Sequence, residues 1–252
     1  MIHIDLSGRS AVVTGATGQL GRVMAHTLAD AGADIAVHYL RNEQKAAQLV
    51  SEISGKGRKA LAVQADVSDR ASVEKMRDAV RDTIGSPGIV VNSAVVQYDW
   101  TTVLEQAVSD YESQFRSCVL HNVLMAQAFV PGMIDRGWGR IVGINTECAM
   151  QTAPGQSAYV SGKRGMDGVL RVLAREVGEH GITVNQVAPG WTISEDKPDS
   201  DSAQAYRDKV PMKRRGTDQE IANVVAFLAS DLASFVTGAY IPVCGGDVMP
   251  AI

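Results

Sequence analysis

The chain has 252 residues, 45% hydrophobic and 21% charged, with a formal net charge of −4 at pH 7. That length buries a sizeable core without disulfides or metals, and the net acidity excludes a broad basic field for nucleic acid or an anionic membrane. Cys118, Cys148 and Cys244 are scattered with no paired spacing, which excludes a disulfide framework and a zinc site.

Short β-branched runs alternate with longer amphipathic stretches. Ser10 to Thr14 reads as a buried strand, and Gly21 to Ala31 as a helix with Val23, Met24, Thr27 and Leu28 on one face. Asp34 to Tyr39 is a second strand, and Asn42 to Gly55 a helix capped by Asn42. Lys59 to Ala65 is a strand, Asp69 to Ile84 a helix and Gly88 to Asn92 a fourth strand. Helical periodicity runs from Leu104 to Arg136 and stops at Gly137-Trp138-Gly139. Arg140 to Asn145 is a strand, Gln156 to His180 a long helix ended by Gly181, and Ile182 to Val187 a sixth strand. A helix over Thr217 to Ser230 and a strand over Ala239 to Val243 close the series. This alternation predicts βαβ units and one α/β domain over residues 1–252, a doubly wound, mostly parallel seven-stranded sheet of the Rossmann kind. The stretch from about 191 to 216, with Glu195, Asp196, Asp199 and Asp201, is too polar for core and is read as a flap over a site; a plain surface loop is the alternative. The basic run Lys213-Arg214-Arg215 reads as a solvated loop. The start of the chain has no basic segment before an apolar one, and no apolar run approaches membrane-spanning length, so a cytoplasmic protein without a membrane partner is expected.

Gly15, Thr17, Gly18, Gln19, Leu20 and Gly21 lie between the first strand and the first helix. Glycines there let the backbone approach a pyrophosphate, and the helix N-terminus offers it free N–H groups. The second strand should end in an acidic residue if the site holds the ribose of NAD. Here Tyr39, Arg41 and Asn42 stand at that end without a carboxylate. Arg41 is placed to meet a 2′-phosphate, so NADP is favoured over NAD; a solvated loop cation is the alternative. Tyr159 and Lys163, four apart near a helix start, share one face. An ammonium beside a phenol lowers its pKa and readies it as a general acid or base.

With Asp66-Val67, Asn92-Ser93-Ala94, Tyr159-Val160-Ser161-Gly162-Lys163, Asn185, Pro189-Gly190, Val236-Thr237-Gly238 and Gly245-Gly246 in order, the chain resembles the short-chain dehydrogenases/reductases over nearly its whole length. It is most similar to the branch of bacterial 3-oxoacyl-carrier-protein reductases and glucose-dehydrogenase-like enzymes. The resemblance implies an oxidoreductase that moves a hydride between a nicotinamide cofactor and a small carbonyl/alcohol pair, assembled as a homotetramer. It implies that Asp66 and Val67 contact the adenine, that Asn92 and Ala94 border the cofactor, and that Pro189, Gly190, Thr192 and Ser194 meet the nicotinamide carboxamide. It implies Tyr159 as acid/base and Lys163 on the nicotinamide ribose.

The chain departs from the family pattern at three places. Gln19 replaces the middle glycine of the turn. Thr146 stands where the family has serine, thirteen residues before the tyrosine, and keeps a hydroxyl for the substrate oxygen. Beside it, Glu147 faces either substrate or solvent. Cys118 falls at the family's helix asparagine, whose backbone carbonyl helps hold a water that links the lysine to solvent; a cysteine preserves such a carbonyl. These replacements leave a second function class open, a cofactor-binding relative with little catalysis that acts as a sensor or structural partner.

Overall fold

A computed structural model describes residues 3–194 and 199–250, except the Ser202 side chain. Seven strands form one sheet: β1 Ser10–Val13, β2 Asp34–Tyr39, β3 Ala60–Gln64, β4 Ile89–Asn92, β5 Gly139–Ile144, β6 Ile182–Pro189 and β7 Tyr240–Val243. All pair in parallel, in the order β3-β2-β1-β4-β5-β6-β7. Among the described residues eight α-helices accompany them: α1 Gln19–Asp30, α2 Glu43–Gly55, α3 Arg70–Ile84, α4 Val108–Ile134, α5 Cys148–Gln151, α6 Ser157–Val177, α7 Gln204–Lys209 and α8 Asp218–Ala229.

The central strands carry no polar face because helices cover both sides. Alternation sends Ala11, Val13, Ile35 and Val37 towards α1, α2 and α8, where Met24, Leu28, Leu49, Ile53, Ile221 and Val225 are buried. Val12, Ala36 and Val90 point the other way, to Val73, Met76, Met125, Phe129, Met166 and Leu170 of α3, α4 and α6. The cap predicted at Asn42 is present, accepting from the Lys45 N–H at 2.9 Å, and Asp69 caps α3 in the same way, accepting from the Ser72 N–H at 2.8 Å. The chain builds outward from β1 through β2 to β3, then returns to β4 on the other side. The crevice at the carboxyl ends of β1 and β4 is therefore the topological switch point, where ligands bind in such sheets.

Two expectations need correction. Residues 117–134 carry no Asp, Glu, Lys or Arg, and α4 is long and apolar enough by length and composition to cross a membrane, with a mean hydropathy of 1.4 in its best window. It packs instead as a core helix against β4, β5 and α6, and includes a π-helical turn over Phe115–Leu120. The segment from 191 to 216 is not wholly polar: Ala203 and Val210 are completely buried, and α7 lies within it. A two-stranded ribbon, Thr192–Ile193 against Gly216–Thr217, ties its ends; Glu195 and Asp196 lie outside the described residues.

Candidate active site

At the switch point the β1–α1 turn is built on close backbone approaches. Gly15 has φ +65°, and a Cβ there would stand 3.0 Å from the Ala94 Cα. A Cβ on Gly21 would come within 2.2 Å of the Gly15 carbonyl oxygen, so only glycine packs the first turn of α1 against the strand end. Gly18 is the N-cap and supplies no side-chain acceptor, leaving the first N–H groups of α1 directed at the groove. His38, which sequence reasoning did not single out, fixes the turn. Its Nδ1 accepts the Gly15 N–H at 2.9 Å while its Nε2 donates to the Ala65 carbonyl at 3.0 Å. Burial lowers its pKa, so the neutral tautomer demanded by those two bonds is the stable one. Its signal was a lone imidazole within an otherwise apolar strand. Thr14 Oγ1 accepts the N–H groups of Ser93 (2.9 Å) and Ala94 (3.1 Å), joining the tips of β1 and β4.

From this turn a groove of about 990 Å³ runs to Tyr159. Thr17, Gln19, Leu20, Arg41, Asn42, Asp66 and Val67 line one end, and Thr146, Tyr159, Lys163, Pro189 and Gly190 the other, with Ala94 between. At the reactive end, pairing of β5 and β6 continues past the strand, Asn145 N–H to Val187 carbonyl at 2.7 Å and Glu147 N–H to Pro189 carbonyl at 3.0 Å. That extension delivers Thr146 to Tyr159, whose phenol its hydroxyl contacts. The Tyr98 hydroxyl accepts the Tyr159 N–H at 2.7 Å, and the Trp100 indole stacks on the Tyr159 ring at 5.9 Å. Lys163 is buried; its Nζ donates to the Ile144 carbonyl at 2.6 Å and lies 5.7 Å from the Tyr159 ring centre.

A family profile described as enoyl-(acyl carrier protein) reductase matches residues 15–247. A 3-oxoacyl-(acyl-carrier-protein) reductase of Staphylococcus epidermidis is 35% identical across 96% of this chain and 99% of its own. The chain belongs to the short-chain dehydrogenase/reductase family. The corresponding Pseudomonas aeruginosa reductase is 34% identical over 98% of this chain and its whole length. Two solved structures agree closely in fold. One, a blue fluorescent protein from a metagenomic library in complex with NADPH, has a TM-score of 0.90 and 33% identity over 97% of this chain and 100% of that one. The other, a Sinorhizobium meliloti dehydrogenase/reductase, has a TM-score of 0.89 and 33% identity, covering 98% and 97%.

Within this family the site has several features that the sequence did not reveal. Tyr39 does not line the groove: one residue beyond His38, alternation turns it into the core beside α2, where it is 8% exposed. Asn92 is also buried below the groove, donating through Nδ2 to Asn122 Oδ1 at 2.7 Å. Thr192 and Ser194 stand outside the groove wall, since Thr192 enters the ribbon. Burial raises the Tyr159 pKa, contrary to the expected lowering, because Lys163 directs its ammonium to a carbonyl rather than to the phenol. At the family's asparagine position, the Cys118 carbonyl is kept but accepts Asn122 Nδ2 at 2.6 Å, one helical turn on. Glu147 faces neither solvent nor the groove; it is 4% exposed and accepts from the Tyr206 hydroxyl at 3.2 Å.

Arg215 is likewise no solvated loop cation. It is 2% exposed, donates to the carbonyls of Trp191 and Thr192, and lies 4.5 Å from the Trp191 ring centre. Arg214 does reach solvent and forms a two-pronged pair with Glu220 at 2.9 and 2.6 Å. Among the described residues no three His, Cys, Asp or Glu side chains gather into a metal site.

Proposed function

We propose that this protein is an NADPH-dependent reductase of a small ketone, or runs the reverse alcohol oxidation, with Tyr159 as the acid/base. The observation that carries the reading is the convergence of Thr146, Tyr159 and Lys163 at one end of a groove whose other end is a glycine turn and an open helix N-terminus. The Gly15 and Gly21 approaches fit a diphosphate laid against the backbone. Exposed Arg41, with no carboxylate beside it in the groove wall at the end of β2, favours a 2′-phosphate over a bare ribose. The relative solved with NADPH supports the same choice. The Asn42 side-chain oxygen is engaged in capping α2, which leaves its amide N–H groups for the cofactor.

When bound, NADPH supplies the hydride. The chain supplies the proton and the charge. Tyr159, kept protonated by burial, donates its phenolic proton to the carbonyl oxygen as negative charge develops there. Thr146 donates a hydrogen bond to the same oxygen and positions it. Lys163, buried within reach of the Tyr159 ring, stabilises the phenolate left behind and is the candidate partner of the nicotinamide ribose. Tyr98, Trp100 and Trp191 give the substrate end an apolar character suited to an uncharged ketone. The segment 191–216 acts as the substrate flap of a single domain. Exposed Val108 and Phe115 on α4 and Val172 on α6 support burial against further copies in a homotetramer. A cytoplasmic location completes the proposal.

One observation favours the second reading, a cofactor-binding relative with little turnover: the Cys118 carbonyl is engaged by Asn122. Titration with NADPH and NADH, followed by a ketone screen, decides. Tight NADPH binding with ketone-dependent oxidation is the expected result. Binding without turnover on any ketone or sugar makes the protein a sensor, and no binding of either nucleotide removes both readings.

A further inference from the structure

Glu147 brackets Gly190 from both sides. Its backbone N–H donates to the Pro189 carbonyl at 3.0 Å. Its carboxylate accepts the Tyr206 hydroxyl at 3.2 Å, and that same hydroxyl accepts the Trp191 N–H at 3.0 Å. Between these two attachments Gly190 lies so close that a Cβ on it would stand 2.5 Å from the Tyr206 oxygen and 3.0 Å from the Cys244 Cα. The Tyr206 ring meets the Trp191 indole edge-on at 5.6 Å, and Arg215 covers Trp191. Pro189 and Gly190 line the groove in company with Thr146 and Tyr159. We propose that Glu147 and Tyr206 are positioning residues, a hydroxyl–carboxyl latch that holds the 189–191 turn at the distance from Tyr159 that reaction needs. The proposal rests on the reductase reading for its catalytic consequence and on geometry alone for the latch.

An apolar residue at 147 would fill the space, yet a buried carboxyl is retained there. The groups around it explain how it is tolerated. Asp247, from the chain end, faces it with a side chain 1% exposed, and Lys209 of α7 pairs with Asp247 at 3.0 Å. Gln151 of α5 donates to Asp247, and Cys148 is the other titratable neighbour. One ammonium thus serves two carboxyls. Burial and the Asp247 charge push the Glu147 pKa up to about 7, so the pair holds a proton through the acidic range. The Tyr206 hydroxyl has only one proton to donate, and the Trp191 N–H needs its oxygen as acceptor. Glu147 is the acceptor that orients it.

The test has an arm that needs no cofactor. Hydrogen exchange of the Trp191 amide in the free protein should be about tenfold faster in Tyr206→Phe than in wild type, and within twofold of wild type in Glu147→Gln, which keeps an acceptor. In ketone reduction with NADPH, Tyr206→Phe should lose about tenfold in kcat while its Tm stays within about 2 °C. Glu147→Gln should retain kcat at pH 6 and lack the inflection near pH 7 that wild type shows. Unchanged exchange in Tyr206→Phe overturns the latch. Faster exchange with unaltered kcat, or activity that only tracks the folded fraction, overturns its positioning role. A wild-type protein that turns over no carbonyl overturns the reductase reading instead, and leaves the exchange arm to decide the latch.

Discussion

The two ends of the groove are made by different means. The end under the β1–α1 turn is backbone chemistry: missing Cβ atoms at Gly15 and Gly21, an uncapped helix start, and one imidazole bridging Gly15 to Ala65. The end at Tyr159 is side-chain chemistry, in which Thr146, Lys163, Glu147 and Tyr206 each hold a place through bonds to residues distant in sequence. A backbone site tolerates replacement only where no Cβ is forbidden. A side-chain site can be rewired, as Asn122 on the Cys118 carbonyl illustrates.

The sharpest way to break this comparison is Tyr159→Phe, which should lower kcat by about 10²- to 10⁴-fold and leave NADPH affinity intact, measured by turnover and fluorescence titration. Next comes Gly21→Ala at the other end. With no space for the methyl beside the Gly15 oxygen, it should cost about 1–3 kcal/mol in urea unfolding and weaken both nucleotides together. Arg41→Ala should weaken NADPH about tenfold and leave NADH unchanged, since one charge-assisted bond to a phosphate is at stake. Equal weakening of both would place Arg41 outside the phosphate site.

The smallest effect concerns Glu147. Its folded pKa of about 7 lies above the ordinary 4.5, so the protonated form favours the fold. That contribution is whole below pH 4.5 and is lost as pH rises through 7. Glu147→Gln should therefore gain on wild type in Tm as pH rises across that window, by on the order of a few degrees. Buried His38 acts in the opposite sense, losing its contribution as pH falls below 6.5, so variant and wild type must be compared at each pH.

The alternating strands and helices, and with them the parallel sheet covered on both faces, were legible because their signals are local. Alternating β-branched runs, 3.6-residue periodicity and the Asn42 cap each act within a few residues. The glycine turn and the Tyr159/Lys163 pair were legible for the same reason. What escaped depends on contacts between segments far apart. Tyr39 and His38 are neighbours, and only the sheet decides which side chain reaches the groove. Arg215 looked like part of a solvated basic run because its acceptors, the carbonyls of Trp191 and Thr192, lie more than twenty residues away. Glu147 looked ambiguous because its partners come from α7 and from the chain end.

The ribbon of Thr192–Ile193 with Gly216–Thr217 has a consequence for how such a protein changes over generations. It closes the 191–216 excursion at its base, where Arg215 is buried. Once a loop is pinned at both ends, doubling its length costs only about 0.6 kcal/mol in closure entropy. The excursion is thus an exchangeable cassette around a few fixed points: apart from Tyr206, which bonds the Trp191 N–H and Glu147, and the buried Ala203 and Val210, its contents and length can drift, or be grafted from a cousin, without disturbing the turn beneath. With the excursion as the proposed substrate flap, new substrate preferences have a ready route into an otherwise unaltered scaffold.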